Sequence, residues 1–220
     1  MAKKPLTTEQ RVVLPSVNWQ QFEQLLLELG AERQTRLTYL RGKLELMTPV
    51  AAHERCSKLL DSLILVVADE LGLPVTTLAP VLLKAPEIGC ATEPDACYYF
   101  GASSVSPHAT QLDLTQDPVP HLLVEVALTK SSIEKLPIYA TLGIPEVWRY
   151  ETTAGDEMLK GQLTVYRLQN ERYVEATTSA AFSWLPASRI VQFLEQSDSM
   201  SLATALQLLR AWIQEQLPRE

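Results

Sequence analysis

Cysteine is scarce. Cys56, Cys90 and Cys97 are the only three in 220 residues, an odd number without C-x-x-C spacing. That excludes a disulfide framework and a zinc ribbon, and it suits a reducing compartment in which a buried thiol acts as a small hydrophobe. Long apolar runs are also missing: the longest, Leu63 to Ala68, has six residues, against the roughly 20 that a membrane-spanning helix needs. The opening Met-Ala-Lys-Lys-Pro-Leu-Thr-Thr carries two positive charges with no apolar stretch behind them, so no secretory signal is expected. A soluble, cytoplasmic protein without membrane association is the expectation. Basic residues are outnumbered, 19 against 26 acidic ones, for a formal net charge of −7. A surface of that sign repels phosphate, so any nucleic-acid partner must be held locally.

What is present is enough apolar sequence, 46% of the chain, to bury the core of one domain with appendages. After a polar arm, Asn18 to Leu29 carries Trp19, Phe22, Leu25, Leu26 and Leu29 at helical spacing, with Asn18 as cap and Gly30 as stop. Arg36 to Arg41 and Lys43 to Met47 alternate about Gly42 as a hairpin does. Ala51 to Leu71 holds one apolar stripe, Leu59, Leu60, Leu63, Ile64, Val67 and Leu71, and predicts a long helix closed by Gly72 and Pro74. Short runs at Val75 to Leu78, Val81 to Lys84 and Ala96 to Phe100 predict strands. The continuous Leu-Leu-Val-Glu-Val within His121 to Ala127 predicts a strand buried on both faces. A helix from Ser131 or Ser132 to Gly143, a strand over Glu146 to Glu151, a second hairpin over residues 162–177 and two closing helices complete the reading. Loops are expected around residues 103–118 and 152–161.

Glu125 is the residue that asks for an explanation, because a carboxylate inside an apolar strand is costly unless something pairs with it. Glu93-Pro94-Asp95 offers a partner, with the proline fixing the backbone and presenting Asp95 at the start of the Ala96 strand. Two carboxylates on neighbouring strands make a hard-oxygen site suited to Mg²⁺ or Mn²⁺. Lys130 and Lys135 follow five and ten residues after Glu125. A helix starting near Ser131 turns Lys135 back toward Glu125, one turn in beside Leu136 and Ile138, whereas Lys130 lies in the link and reaches solvent. A cation so held can orient an attacking water or stabilise developing phosphoryl charge. Blander readings stand beside these. Asp95 can cap a turn, and Glu125 can form a buried ion pair with Lys135 or Arg149 and hold no metal. Glu54 can serve the helix dipole. His53 can serve as a ligand or base but reads first as a solvated helix cap, His108, His121 and the cysteines read as structural or surface residues, and at least one of Trp148 and Tyr150 as core packing.

The order of a Pro-Asp, a strand Glu about thirty residues later and a following lysine resembles the PD-(D/E)XK restriction-endonuclease-like superfamily. The segments "GKLELMTP", "HERCSKLL", "EPDACYY", "PHLLVEVALTKSSIEKLPIYATLGIPEVWRYE" and "LTVYRL" more specifically resemble the Uma-two family, abundant in cyanobacteria, over roughly residues 16–180. The resemblance implies that Asp95 and Glu125 are the metal-binding carboxylates and that the Val126 carbonyl is an additional ligand. It implies that Lys135 supplies the lysine function from the next helix, since Ala127 stands where the superfamily lysine normally sits. Glu54 matches the acidic position at the start of the first core helix, where a carboxylate can hold a water at the metal. Ala127 and Lys130 depart from the family pattern, in which an acidic residue and a serine are frequent, and this alters the charge balance beside Glu125.

The fold so implied is α/β, a mixed central sheet flanked by helices of restriction-endonuclease type, with residues 1–15 as an arm, 16–180 as the nuclease-like domain and 181–220 as a C-terminal helical extension packed on it. The implied function is Mg²⁺-dependent (or Mn²⁺-dependent) endonucleolytic hydrolysis of DNA, with a homodimer by analogy to enzymes that cut both strands. Two other readings stay open. One is a catalytically weak or inactive nuclease-fold module acting in binding or regulation, which the net charge of −7 and Ala127 support. The other is a structural ion pair in a protein-interaction domain.

Overall fold

A computed structural model describes residues 8–30, 33–153 and 159–217. The first seven residues of the expected arm, five of the expected 152–161 loop and the last three of the C-terminal extension lie outside the described residues. Asn18 caps α1 (Trp19–Leu29) in a reciprocal box: its side chain accepts from the Gln21 amide at 2.9 Å, and the Gln21 side chain accepts from the Asn18 amide at 2.8 Å. The hairpin is formed by β2 (Arg36–Leu40) and β3 (Lys43–Thr48), joined by Arg41 and Gly42 with φ of 45° and 94°. Positive φ at both central residues matches the turn to the twist of its strands. The long helix is α2 (Ala51–Glu70). Four short strands follow: β4 (Val75–Leu78), β5 (Leu82–Ala85), β6 (Cys90–Thr92) and β7 (Ala96–Phe100). Then come β8 (Gln111–Asp113), β9 (Leu122–Ala127), α3 (Leu136–Thr141), β10 (Glu146–Glu151), β11 (Gln162–Gln169) and β12 (Arg172–Ala176). Two helices, α4 (Ala187–Ser199) and α5 (Leu202–Gln216), close the described chain. A further strand, β1 (Gln10–Leu14), lies within the segment read as an arm and pairs antiparallel with β3.

The α/β class with C-terminal helices is as expected, but the strands form two mixed six-stranded sheets where one central sheet was expected. The first has the order β1-β3-β2-β6-β5-β8 and the second β12-β11-β10-β9-β7-β4. The second is the expected central sheet, and β9 lies inside it, parallel to β10 and antiparallel to β7. Leu122, Val124 and Val126 of β9 pack with Leu60, Leu63, Ile64 and Val67 of α2 and with Phe193, Leu209 and Ile213 of the closing helices. Leu123 faces the other way, into a core shared with Ile138 and Tyr139 of α3 and Leu83 of the first sheet. Burial on both faces is what the unbroken apolar run predicts, and by alternation Glu125 falls on the α3 side with Leu123.

The expected helix from Ser131 is a correction. Residues 128–134 form a loop, and α3 starts only at Leu136, with Pro137 in its first turn. The Ser131 and Ser132 hydroxyls that would have capped an earlier start are instead spent on Glu45 of β3, at 2.7 and 2.6 Å. Proline is tolerated in a first turn but not farther in, so the helix begins beside it.

Candidate active site

One step beyond the last β7–β9 pair, Ala96 opposite Val124, the register sets Asp95 beside Glu125. The Asp95 amide continues the ladder to the Val124 carbonyl at 3.1 Å. The next amide of β9, that of Val126, has no residue of β7 to meet and donates to Asp95 Oδ2 at 2.7 Å. Asp95 and Glu125 are 3% and 9% exposed, so each requires a compensating partner.

For Asp95 that partner is His53, fully buried at the start of α2. Its Nε2 lies 2.6 Å from Asp95 Oδ1, and its Nδ1 lies 2.6 Å from Glu9 Oε1. With a carboxylate acceptor at each nitrogen, the ring must donate twice and is an imidazolium. Burial alone would lower its pKa, but the charge and hydrogen bond of Asp95, joined by those of Glu9, raise it to about 10. Burial likewise opposes ionisation of Glu9, yet hydrogen bonds from His53 and Thr129 and the charges of His53 and Arg11 bring its pKa down to about 2. Asp95 is held below the usual carboxylate range against its burial, chiefly by the His53 charge.

For Glu125 the partner is Lys135, whose Nζ donates to Oε1 at 3.0 Å and Oε2 at 2.9 Å and also to the Glu93 carbonyl at 3.1 Å. The Tyr139 hydroxyl, one turn farther along α3, donates to Glu125 Oε1. Burial, reinforced by the Asp95 charge, nevertheless leaves the Glu125 pKa raised, with Lys135 opposing. Arg149, the alternative partner, turns away to Glu134 and Glu151 at 3.2 and 3.1 Å.

The loop carrying Lys135 is clamped by the first sheet. Glu9 accepts from the Leu128 and Thr129 amides at 3.3 and 3.1 Å. Glu45 accepts from the Ser132 amide at 2.7 Å, and Arg11 bonds both glutamates at 2.9 and 2.6 Å. Lys135 itself stands at the N-cap position of α3 and is placed there by the anchored loop, not from a turn inside a helix as its spacing predicted.

The structure thus brings Asp95, Glu125, Val126 and Lys135 together. Glu54 stands apart on the rim: its side chain is 40% exposed and reaches Arg36 at 3.4 Å, while Arg36 Nε lies 3.9 Å from Asp95. Among the described residues no three His, Cys, Asp or Glu side chains converge as a metal cage. Asp95 and Glu125 still fit a hard divalent ion, because Mg²⁺ is commonly held by one or two carboxylates and completes its shell with waters and substrate phosphates. Each Asp95 oxygen has one hydrogen-bond partner and keeps lone-pair capacity for a cation.

A family profile described as "Putative restriction endonuclease", Uma2, matches residues 19–208. The chain belongs to the Uma2 family. The resemblance read from its motifs is thereby borne out, and the profile spans both sheets from β2 onward and reaches into α5. Among solved structures, one described as a putative nuclease belonging to DUF820 from Anabaena variabilis is similar at 13% identity and a TM-score of 0.48, covering 72% of this chain and 90% of that one. No curated protein matches the chain.

In this Uma2 chain, sequence reading missed His53, Glu9, Arg36 and Tyr139. His53 continues the buried stripe of α2 three residues before Cys56 and seven before Leu60, a spacing that points it inward rather than to solvent. Tyr139 is four residues after Lys135, the separation at which two helical side chains share a face. Glu9 and Arg36 carry no comparable local signal, since their roles depend on the packing of one sheet against the other.

Proposed function

We propose that this chain hydrolyses DNA phosphodiester bonds with a divalent cation, Mg²⁺ or Mn²⁺, held by Asp95, Glu125 and the Val126 carbonyl. The observation that carries this reading is the pairing of Asp95 with Glu125 across adjacent strands, with Lys135 donating to both Glu125 oxygens. When bound, such a cation polarises a phosphoryl oxygen and acidifies water. The protein's own residues do the rest. His53 and the Val126 amide fix Asp95 by one hydrogen bond to each oxygen. Tyr139 and Lys135 fix Glu125, and the loop clamp keeps the ammonium preorganised where charge develops on the phosphoryl group. Two such sites in a homodimer would address the two strands of a duplex. Membership of a family described as "Putative restriction endonuclease" supports the reaction class.

A second reading has its own observation: both carboxylates already carry a cationic partner, His53 or Lys135, as in a metal-free ion-pair network. Calorimetric titration with Mn²⁺ separates the two. Wild type is expected to give a saturable heat that Glu125→Gln removes, because the amide keeps the shape but loses the charge a hard cation needs. No heat from wild type at millimolar Mn²⁺ would favour the structural network.

A further inference from the structure

On the side of β7 away from β9, the edge strand β4 and the segment after it form one wall of a cleft of about 370 Å³. Arg33, Arg36, Thr77, Glu93 and His108 line it. We propose that this cleft is a phosphate subsite that seats a phosphodiester of the nucleic-acid strand, next to the group presented to Asp95 and Glu125. The proposal rests on the nuclease reading above and names where such a chain, with a net charge of −7, holds a polyanion.

Two guanidinium groups line this cleft, and each keeps a buried Nε without a hydrogen-bond partner in the protein. Arg36 is 12% exposed in its side chain, and its one side-chain hydrogen bond among the described residues is a 3.4 Å contact to Glu54, itself 40% exposed. Its Nε is buried with no hydrogen-bond partner and lies 3.9 Å from Asp95. Arg33, equally buried, pairs with Glu93 and with the Gly30 carbonyl at 2.9 Å, yet its Nε is likewise buried without a partner. A buried guanidinium N–H without a partner is costly, and an anion drawn into the cleft by the two positive charges can complete it. The rigid fork of arginine matches the paired oxygens of a phosphate. The volume lies within the usual span of roughly 300–1,000 Å³ for ligand sites. Glu93 and Asp95 flank Pro94, so an anion seated on Arg36 lies along the edge of the carboxylate pair, as the neighbouring phosphate of one strand must.

Fluorescence anisotropy with a labelled duplex and its single strand tests the assignment in EDTA over a range of salt concentrations. Arg36→Gln is expected to weaken binding about tenfold, equally for unrelated sequences, and to lower the slope of log Kd against log salt by about one phosphate contact. Arg36→Lys should keep the slope and lose part of the affinity, because it retains the charge without the fork. Arg210→Gln on α5 should change neither. Thermal melts check folding, and if Arg36→Gln does not fold, Arg36→Lys carries the test, with unchanged affinity overturning the subsite. Wild type that binds DNA with a slope indifferent to Arg36→Gln would overturn the subsite and leave the nuclease reading standing. Wild type that binds no DNA, yet shows Arg36-dependent ³¹P shifts with inorganic phosphate, would make this a free-phosphate site and overturn the strand assignment. Binding of neither would overturn the subsite and count against the nuclease reading as well.

Discussion

His53→Ala is expected to destabilise the fold by about 3–5 kcal/mol, the scale on which removal of one partner from a buried charge pair acts. The substitution leaves Glu9 and Asp95, both nearly inaccessible, facing the space vacated by their shared cation. It also loosens the Leu128 and Thr129 amides that Glu9 holds, and with them the loop that delivers Lys135. The same triad gives stability a pH dependence of definite sign. Because the His53 pKa rises from 6.5 to about 10 on folding, its contribution is complete below 6.5 and is lost as pH climbs through about 10, at about 1.4 kcal/mol per pH unit between. Glu9, lowered from 4.5 to about 2, contributes fully above 4.5, and that contribution is lost as pH falls through about 2. Urea unfolding in EDTA from pH 5 to pH 9.5 should therefore show wild type weakening above pH 6.5 and His53→Gln with a flatter alkaline limb. Parallel limbs would show that the imidazole is not held charged.

Lys135→Met is expected to lower single-turnover cleavage of plasmid DNA on the order of 100-fold or more, the effect of losing one preorganised electrostatic donor. Methionine keeps the packing of the long stem, and the Tyr139 hydroxyl still holds Glu125. With its pKa already raised by burial, Glu125 can take up a proton rather than stay as an unpaired charge, so thermal melts should fall only modestly. Lys130, exposed in the loop, predicts the control: Lys130→Ala should cut at nearly the wild-type rate. A dead Lys130→Ala beside an active Lys135→Met would reverse the lysine assignment.

The parts of this site that were legible in the sequence are those whose signal is local. An unbroken apolar run with one glutamate declares a strand buried on both faces and a carboxylate needing a partner. Pro94 before Asp95 marks the entry to the adjoining strand. Asn18, Gly30 and the stripe of α2 declare helices. What stayed hidden depends on contacts distant in sequence. β6 and β8 have three residues each, too few for alternation to show, and without them the first sheet could not be separated from the second. Gln10–Leu14 became a strand because β3 offers it an edge, a tertiary effect that its own composition does not announce. The role of Ser131 and Ser132 was misread for the same reason. Both favour a helix cap locally, and Glu45, 86 and 87 residues away in sequence, takes their hydroxyls.

The most direct test of the account is cleavage of supercoiled plasmid by wild type and Asp95→Ala under EDTA, Mg²⁺ and Mn²⁺. Nicking or linearisation by wild type is expected with either cation, with none in EDTA and none by Asp95→Ala under any condition. Cleavage by wild type that persists in EDTA, or equal cleavage by Asp95→Ala, would contradict it. So would a wild type that folds and cuts nothing with any divalent metal.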